Sequence, residues 1–203
     1  QAELAQRENS PEELQRSLEQ IADSSTRATR LVQQLLSLAR MENTNKLSEK
    51  ILIDLSQAAA DATKNWLSAA WEKNIDLGYQ TNEQAYKMYG NPVMLKELFN
   101  NLLDNAIKYS ASSSTITIQA YQADNQIVLK VRDQGCGIPQ ADLPRIFERF
   151  YRVDKARSRK LGGTGLGLAI VKHVAQRHGA ELAIASTPGH GSQFSIIFPL
   201  ERV

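Results

Sequence analysis

The sequence has little cysteine, little net charge and no long apolar run, and each shortage argues against a class of protein. Its single cysteine, Cys136, cannot form an internal disulfide framework and is typical of a reducing compartment. A net charge of +2 does not by itself predict binding to nucleic acid or to an anionic membrane. No stretch approaches the roughly 20 apolar residues of a membrane-spanning helix, and the start does not resemble a signal peptide. The composition is that of a globular chain with one well-cored domain and an appendage.

The first part of the sequence has the pattern of a packed helix. Apolar or small residues recur at alternating steps of four and three between residues 14 and 39, as in coiled coils and helical bundles. Ser10, Pro11 and Glu13 predict the start of this helix, and residues 1–8 predict the tail of a preceding one. The abrupt helical start suggests a piece of a longer protein. Two helices alone bury little surface, so the apolar seam predicts a partner, either a second copy in a four-helix bundle or the rest of the chain.

The remaining sequence has the mixed pattern of an α+β domain. Residues 41–50 are polar and aperiodic, which predicts a linker. Helices are predicted near residues 57–73, 92–109 and 165–178, and strands near 51–55, 75–79, 86–89, 115–121, 126–132, 182–186 and 192–199. Hairpins mixed with helices favour a two-layer α+β sandwich over a doubly wound parallel sheet. We therefore expect an appendage at 1–45 and one domain at 46–203.

The helix predicted after Pro92 carries the first candidate chemistry. Glu97, Asn101, Asn105 and Lys108 share one face of this helix, beside an apolar stripe. Asparagine is a mediocre helix former, and its amide oxygen can ligate a hard cation such as Mg²⁺. A carboxylate and an ammonium on the same face could handle a proton and a phosphate. A solvated helix face is an equally good interpretation of this helix alone.

Two glycine-rich segments come next. Asp133-Gln134-Gly135-Cys136-Gly137 follows a predicted strand, and its aspartate could accept a hydrogen bond from an exocyclic amine or simply cap a turn. Gly162-Gly163-Thr164-Gly165-Leu166-Gly167 runs into a predicted helix, whose N-terminal N–H groups favour an anion. The second segment fits neither a Walker A loop nor a dinucleotide fingerprint, so alone it is a weak signal.

A basic segment lies between the two glycine-rich segments. Phe147-Glu148-Arg149-Phe150-Tyr151-Arg152 is followed by more basic residues, at positions 155, 157, 159 and 160. This composition predicts a mobile lid with aromatic anchors at one end, whose charges could balance a triphosphate. Aromatic residues beside basic ones also occur in single-strand nucleic-acid binders, but only this one cluster favours that alternative.

Taken together and in this order, these segments resemble the catalytic and ATP-binding domain of bacterial two-component sensor histidine kinases. The sequence NLLDNAIKY at 101–109 resembles the N box of that family, DQGCG at 133–137 its G1 box, and FERF at 147–150 its F box. GTGLGL at 163–168 resembles the G2 box, and TPGHGS at 187–192 the last glycine motif. RLVQQLLSLAR at 30–40 resembles the second helix of the family's dimerisation and phosphotransfer hairpin. The resemblance implies a Bergerat α/β sandwich tethered to a dimeric four-helix bundle.

The resemblance also implies roles for the matching positions. Asn105 would ligate Mg²⁺, with possible support from Asn101, and Asp133 would accept the adenine amino hydrogen. Glu97 would orient or deprotonate the acceptor histidine. The other residues expected at the ATP site are Lys108, Tyr109, Gly135, Gly137, Arg149, Arg152, Gly163, Thr164, Gly165, Leu166 and Gly167.

ATP and Mg²⁺ are the implied cofactors. The implied partners are a response-regulator receiver domain and a second copy of the chain, bound through the helical hairpin. No nucleic acid is expected as a partner. The implied location is the cytoplasmic portion of an inner-membrane sensor, with any membrane contact made by segments outside this sequence.

The acceptor-histidine motif of the family is missing. The three histidines, His173, His178 and His190, resemble no acceptor site. We therefore expect the chain to bind ATP and Mg²⁺ but to phosphorylate only a histidine supplied in trans. One alternative is an ATP-hydrolysing relative of chaperones, topoisomerases or mismatch-repair proteins, which the heptad helix and the F box disfavour. The other is a non-catalytic scaffold, which the intact asparagine, aspartate and glycine sets disfavour.

Overall fold

A boundary between Asn45 and Lys46 divides the chain into two units, Gln1–Asn45 and Lys46–Val203. The computed structural model describes residues 11–43, 50–81, 84–154 and 162–200. In the first unit, helix α1 (Pro11–Asn43) carries two glutamates in its first turn, where the positive end of the helix dipole favours acidic side chains. The predicted helix is therefore present. The predicted N-cap Ser10, the preceding helix at 1–8 and most of the predicted linker lie outside the described residues.

The second unit contains the predicted strands and helices, with bounds shifted by only a few residues. Its strands are β1 (Ile51–Asp54), β2 (Asp76–Gln80), β3 (Lys87–Gly90), β4 (Thr115–Ala123), β5 (Gln126–Asp133), β6 (Glu181–Thr187) and β7 (Gly191–Pro199). Its helices are α2 (Leu55–Glu72), α3 (Pro92–Tyr109) and α4 (Gly167–Arg177). Helix α4 starts two residues later than predicted because Gly165 has a φ of 75°, in the left-handed region outside a right-handed helix.

The strands form a mixed five-stranded sheet and a separate antiparallel pair, β1 with β3. The order in the larger sheet is β2-β4-β5-β7-β6, with β2 parallel to β4 and all other neighbours antiparallel. Helix α2 packs on β2 and β4, α3 on β5, and α4 on β6 and on α3. These contacts and the alternating burial of the strands confirm the predicted two-layer α+β sandwich.

The core face of the sheet is built in layers that run across four strands. One layer contains Ala120, Leu129, Ile196 and Leu182, and the next contains Ile118, Val131, Phe194 and Ile184. Most of these side chains are buried beneath the helices, and their burial supplies most of the stability of the sandwich. At the end of β5 the next layer turns polar, since Asp133 and Ser192 occupy buried positions there.

Helix α3 is held at both ends by side chains. Asn91 caps the start, where its Oδ1 accepts the Met94 N–H at 2.9 Å, and Pro92 follows in the first turn. At the other end, Lys73 Nζ donates to the carbonyl oxygens of Ile107 and Lys108 at 2.6 and 2.9 Å. An ammonium group at this end also matches the negative pole of the helix dipole. Both contacts set the position of the helix that carries the predicted N box.

Within the described ranges, no helix combines the length and apolar character needed to cross a membrane.

Candidate functional site

Asp133 ends β5 in a buried position, with 7% of its surface exposed. Its Oδ1 accepts two backbone N–H bonds, from Gly135 at 2.8 Å and from Ser192 at 3.2 Å. Burial raises the pKa of the Asp133 carboxyl above its ordinary value, and the two N–H donors oppose that rise. Because both internal bonds end on Oδ1, the arrangement leaves Oδ2 to accept a hydrogen bond from a ligand.

Gly135 and Gly137 let the loop after β5 lie directly against its neighbours. A Cβ on Gly135 would stand 2.7 Å from the Tyr109 carbonyl oxygen, and one on Gly137 would stand 2.1 Å from the Thr187 carbonyl oxygen. Two backbone hydrogen bonds hold these segments together, from the Cys136 N–H to Tyr109 O at 3.2 Å and from the Gly189 N–H to Cys136 O at 2.8 Å. The predicted G1 box, the end of α3 and the last glycine motif therefore meet at this loop.

The two predicted asparagines face the start of α4. A Cβ on Gly167 would stand 3.0 Å from Asn101 Oδ1 and 3.6 Å from Asn105 Nδ2. Asn101 is buried, and its Nδ2 donates to the Glu97 carbonyl oxygen at 2.8 Å, which turns Oδ1 toward Gly167. Helix α4 begins at Gly167, and its N-cap residue, Leu166, makes no side-chain capping bond. Carboxamides and a helix N-terminus thus converge at one place, which suits a phosphate and a hard cation.

Glu97 and Lys108 lie on the same helix at different distances from this junction. Glu97 is half-buried, one turn before Asn101. Lys108 Nζ forms an ion pair with Asp104 Oδ2 at 2.7 Å, and the two side chains are only 17% and 16% exposed. The predicted phosphate contact of Lys108 would therefore compete with an existing, mostly buried ion pair.

The predicted F box and the predicted G2 box touch through their backbones. The Phe150 N–H donates to Gly165 O at 2.8 Å, and a Cβ on Gly165 would stand 2.7 Å from the Phe150 carbonyl carbon. Phe150 itself has a φ of 65°, a costly conformation for a bulky residue. Nearby, the Tyr151 hydroxyl donates to Asp142, and the Arg145 guanidinium lies 4.3 Å from the centre of the Tyr151 ring.

The other residues predicted in this region have different settings. Arg149 is exposed, whereas Arg152 is half-buried. Arg152 Nε and Nη2 are buried and have no hydrogen-bond partner in the part of the chain that the structure describes. Thr164 Oγ1 accepts the Leu166 N–H at 3.3 Å, beside the half-buried Gly163. The basic positions 155, 157, 159 and 160 lie outside the described residues.

The three histidines have structural settings that differ from one another. His178 ends α4 in a buried position: its Nε2 accepts the Asn91 N–H at 3.0 Å and its Nδ1 lies 2.8 Å from the Val174 carbonyl oxygen. These contacts require a neutral ring protonated on Nδ1. His173 Nε2 is buried as well, and His190 lies exposed in the turn between β6 and β7.

Two candidate functional residues lie at the edge of the family motifs. Ser186 comes just before the last glycine motif, and Ser192 is the final residue of that motif. Ser186 pairs with Ser192 across β6 and β7, and their Oγ atoms lie 2.9 Å apart. The signal was present in the alternation of β6, because Leu182 and Ile184 point to the core and the next position on that face is a serine. A polar residue at the next position of an apolar strand face marks the point where the hydrophobic core ends along that strand.

Comparison with known proteins identifies the class that this fold and site define. The family model of the histidine kinase-, DNA gyrase B-, and HSP90-like ATPases matches residues 90–202. The chain therefore belongs to this ATPase family, whose domains bind ATP.

Individual relatives narrow the resemblance to sensor histidine kinases. The sensor histidine kinase YkoH of Bacillus subtilis is 40% identical over 188 residues, which are 93% of this chain and 40% of that protein. The solved structure of the mycobacterial sensor histidine kinase MprB is 27% identical, with a TM-score of 0.63 over 76% of this chain and 99% of that one. Full-length ShkA in complex with AMPPNP shares the fold, with a TM-score of 0.76 at 24% identity over 93% of this chain and 39% of that one.

These relatives confirm the predicted resemblance to the catalytic domain of a sensor histidine kinase. The chain spans less than half the length of the Bacillus relative, 40% of it. The family match at residues 90–202 includes every box from the N box to the last glycine motif.

Proposed function

We propose that this chain binds ATP with Mg²⁺ and transfers the γ-phosphoryl group to a histidine supplied by another segment, for relay to an aspartate of a response regulator. The observation that carries the proposal is the junction of α3 and α4. There, Asn101 and Asn105 face the uncapped start of α4 at Gly167, where a Cβ would crowd Asn101 Oδ1 at 3.0 Å. A buried acceptor, Asp133, lies at the end of the adjacent sheet.

The base and the phosphates would bind at two different places. Asp133 Oδ2 would accept the adenine amino hydrogen, and the loop containing Gly135 and Gly137 would lie along the base with Tyr109. The phosphates would lie at the start of α4, where backbone N–H groups and the helix dipole favour negative charge. Arg152, which has buried guanidinium nitrogens without described partners, would contact the terminal phosphate.

Asn105 would ligate Mg²⁺, with Asn101 beside it. No cluster of three or more histidine, cysteine or acidic side chains suited to a metal occurs in the ranges described above. That result fits a cation held by carboxamide, phosphate and water oxygens rather than by a protein cage. The bound cation would neutralise charge on the phosphates, while the chain supplies their position.

Transfer would proceed by attack of the acceptor imidazole nitrogen on the γ-phosphorus. The bond from that phosphorus to the β–γ bridging oxygen breaks, and ADP leaves with the electron pair. Glu97, half-buried one turn before Asn101 on the same face of α3, would orient the imidazole or take its proton. Phosphoryl transfer depends mainly on such positioning and charge neutralisation.

Dimerisation would bury the apolar seam of α1. In the single chain, Leu14, Leu18, Val32 and Leu35 are 38–55% exposed. Heptad side chains of this kind pack between helices, so a second copy in a four-helix bundle suits them. By resemblance, the proposed partner for relay is a receiver domain and the proposed location is the cytoplasmic side of an inner-membrane sensor. Residues 1–45 would then be part of the phosphotransfer hairpin and residues 46–203 the catalytic domain.

Calorimetry on the whole chain tests the pocket. We expect micromolar-range ATP binding that strengthens with Mg²⁺, and a loss of about 100-fold in Asp133→Asn, because an amide there would present a donor to the amino group. Asp76→Asn, at an exposed position on β2, is the matched control and should bind normally. An equal affinity in wild type and Asp133→Asn would contradict the pocket.

A second measurement separates the kinase from its alternatives. The chain is mixed with an acceptor hairpin and labelled ATP, and phosphate is followed on histidine and in solution. Label on the hairpin histidine supports the kinase. Release to solution alone indicates an ATP-hydrolysing relative, and ATP binding with no turnover indicates a scaffold.

A further inference from the structure

Ser186 is part of a polar layer that closes one end of the core. Asp133, Ser192 and Ser186 stand on three adjacent strands, linked by the Ser192 N–H to Asp133 Oδ1 at 3.2 Å and by the two serine hydroxyls at 2.9 Å. Asp133 has a role in the proposed nucleotide binding, whereas Ser186 has none.

Three groups surround Ser186 Oγ. The Ile138 N–H donates to it at 2.8 Å, and it lies 2.9 Å from the Gly191 carbonyl oxygen and 2.9 Å from Ser192 Oγ. A serine hydroxyl has one hydrogen and two lone pairs. Because a carbonyl can only accept, the hydrogen of Ser186 points to Gly191 O. Both lone pairs are then occupied by Ile138 and Ser192, so the Ser192 hydroxyl must be the donor of the bond between the serines.

With adenine at Asp133 as proposed, the direction of the neighbouring Ser192 hydroxyl decides which hydrogen-bonding groups the base would meet there. With its hydrogen committed to Ser186, Ser192 presents only lone pairs, as does the Asp133 carboxylate beside it. A base edge with an amino group matches these acceptors, whereas a keto oxygen would meet another acceptor. Such a mismatch leaves buried polar groups unpaired, which disfavours binding of the 6-oxo base.

We infer that Ser186 is a positioning residue: it keeps the Ser192 hydroxyl oxygen a hydrogen-bond acceptor and holds the turn at Ile138 in place. The site thereby favours a purine with a 6-amino group over one with a 6-oxo group. The inference rests on the proposed ATP binding.

The test measures dissociation constants for ATP and for inosine triphosphate, which carries an oxo group at position 6, with the whole chain. Ser186→Ala should lower the ratio of Kd for inosine triphosphate to Kd for ATP by about fivefold, because the released Ser192 hydroxyl can donate to the keto oxygen. Ser186→Thr keeps a hydroxyl and should retain the wild-type ratio. Ser195→Ala, which removes a buried hydroxyl from the opposite face of β7, is the control and should leave the ratio unchanged.

A second background separates hydroxyl direction from general damage. In Ser192→Ala there is no hydroxyl to turn, so adding Ser186→Ala should leave the ratio where it was. An unchanged ratio in the single Ser186→Ala variant, or the same fall in the Ser192→Ala background, would overturn the inference. A wild-type chain that binds no ATP would overturn the proposed function itself, and the inference with it.

Discussion

The polar groups at the two ends of the α3–α4 helix pair differ in their hydrogen bonding. At one end, the start of α3 meets the end of α4, and the buried His178 ring accepts the Asn91 N–H while bonding back to Val174. At the other, α4 starts without a side-chain cap, and Gly167 lets this start lie close to the α3 carboxamides. The first end is closed by internal hydrogen bonds, whereas the second places two carboxamides against a helix start that has no side-chain cap.

The difference predicts that stability and the proposed nucleotide binding are separated along one pair of helices. His178 closes the first end with a ring that also packs edge-on against Phe198, at 6.2 Å between ring centres. Gly90 permits this approach, since a Cβ there would stand 3.2 Å from His178 Nε2. Substitutions at the closed end should therefore change the free energy of unfolding, and substitutions at the open end should change nucleotide affinity.

The largest expected effect is at the open end, in Asn105→Ala. We expect the affinity for ATP with Mg²⁺ to fall by about 10- to 100-fold, because a ligand to a charged group is lost. The free energy of unfolding should hold or rise slightly, since alanine is the better helix former. Calorimetry and thermal unfolding measure the two quantities. Asn100→Ala on the same helix is the control: it loses the bond from Trp66 Nε1 at 3.1 Å and should weaken folding but not binding. Equal losses in both variants would contradict the separation.

At the closed end, His178→Leu should lower the free energy of unfolding by about 2 kcal/mol, because the Asn91 N–H is left buried without its acceptor. Nucleotide affinity, measured well below the unfolding transition, should change by no more than about twofold. His178→Gln, which retains an acceptor, should recover part of the loss in denaturant titrations. The exposed His190→Gln gives the baseline. A His178→Leu chain as stable as wild type would show that the His178 hydrogen bonds contribute nothing to the free energy of unfolding.

The closed end should also depend on pH. Burial lowers the pKa of His178 below its ordinary 6.5, with Lys50 and Arg177 acting in the same direction and the Val174 contact opposing it. Between the lowered folded pKa and 6.5, the unfolded chain binds a proton that the folded chain does not. The free energy of unfolding should therefore be lost as pH falls below 6.5, at up to about 1.4 kcal/mol per pH unit.

Denaturant titrations between pH 7.5 and 5 check this dependence. His178→Gln has no proton to take up, so its curve should be flatter than that of wild type over the same interval. Curves that run parallel would assign the pH dependence to other groups.

The smallest expected effect is a loss of nucleotide affinity on substitution of Gly167 at the open end. In Gly167→Ala, a methyl group 3.0 Å from Asn101 Oδ1 would push that amide aside and weaken nucleotide binding by about fivefold or less. Stability should change by less than about 1 kcal/mol, because the helix propensity of alanine offsets the crowding. Gly78→Ala on β2 meets no atom within 4 Å and is the control for both measurements. Loss of stability without loss of affinity would reverse the assignment of the open end.

Much of the fold followed from the sequence. The heptad seam predicted α1, and apolar residues at every second position predicted the β4–β5 hairpin. Apolar residues at steps of three and four predicted the buried stripe of α3. The glycine-rich boxes mark places where the backbone lies against neighbouring segments, because a Cβ at Gly135, Gly137 or Gly165 would clash there. These features depend on residues near one another in the chain, where period and side-chain size suffice to decide the local structure.

The sequence by itself therefore determined the order of the elements and the family, and it predicted the residues of the candidate site. Only the tertiary structure decided how those residues are bonded: Ser192 reaches Asp133 across 59 residues of chain, Ile138 reaches Ser186 across 48, and Asn91 reaches His178 across 87. No local pattern contains such partners, because strand order and helix packing bring them together. The direction of a hydroxyl or the tautomer of an imidazole is set by those distant neighbours, since each polar group in a buried site must satisfy the others at once.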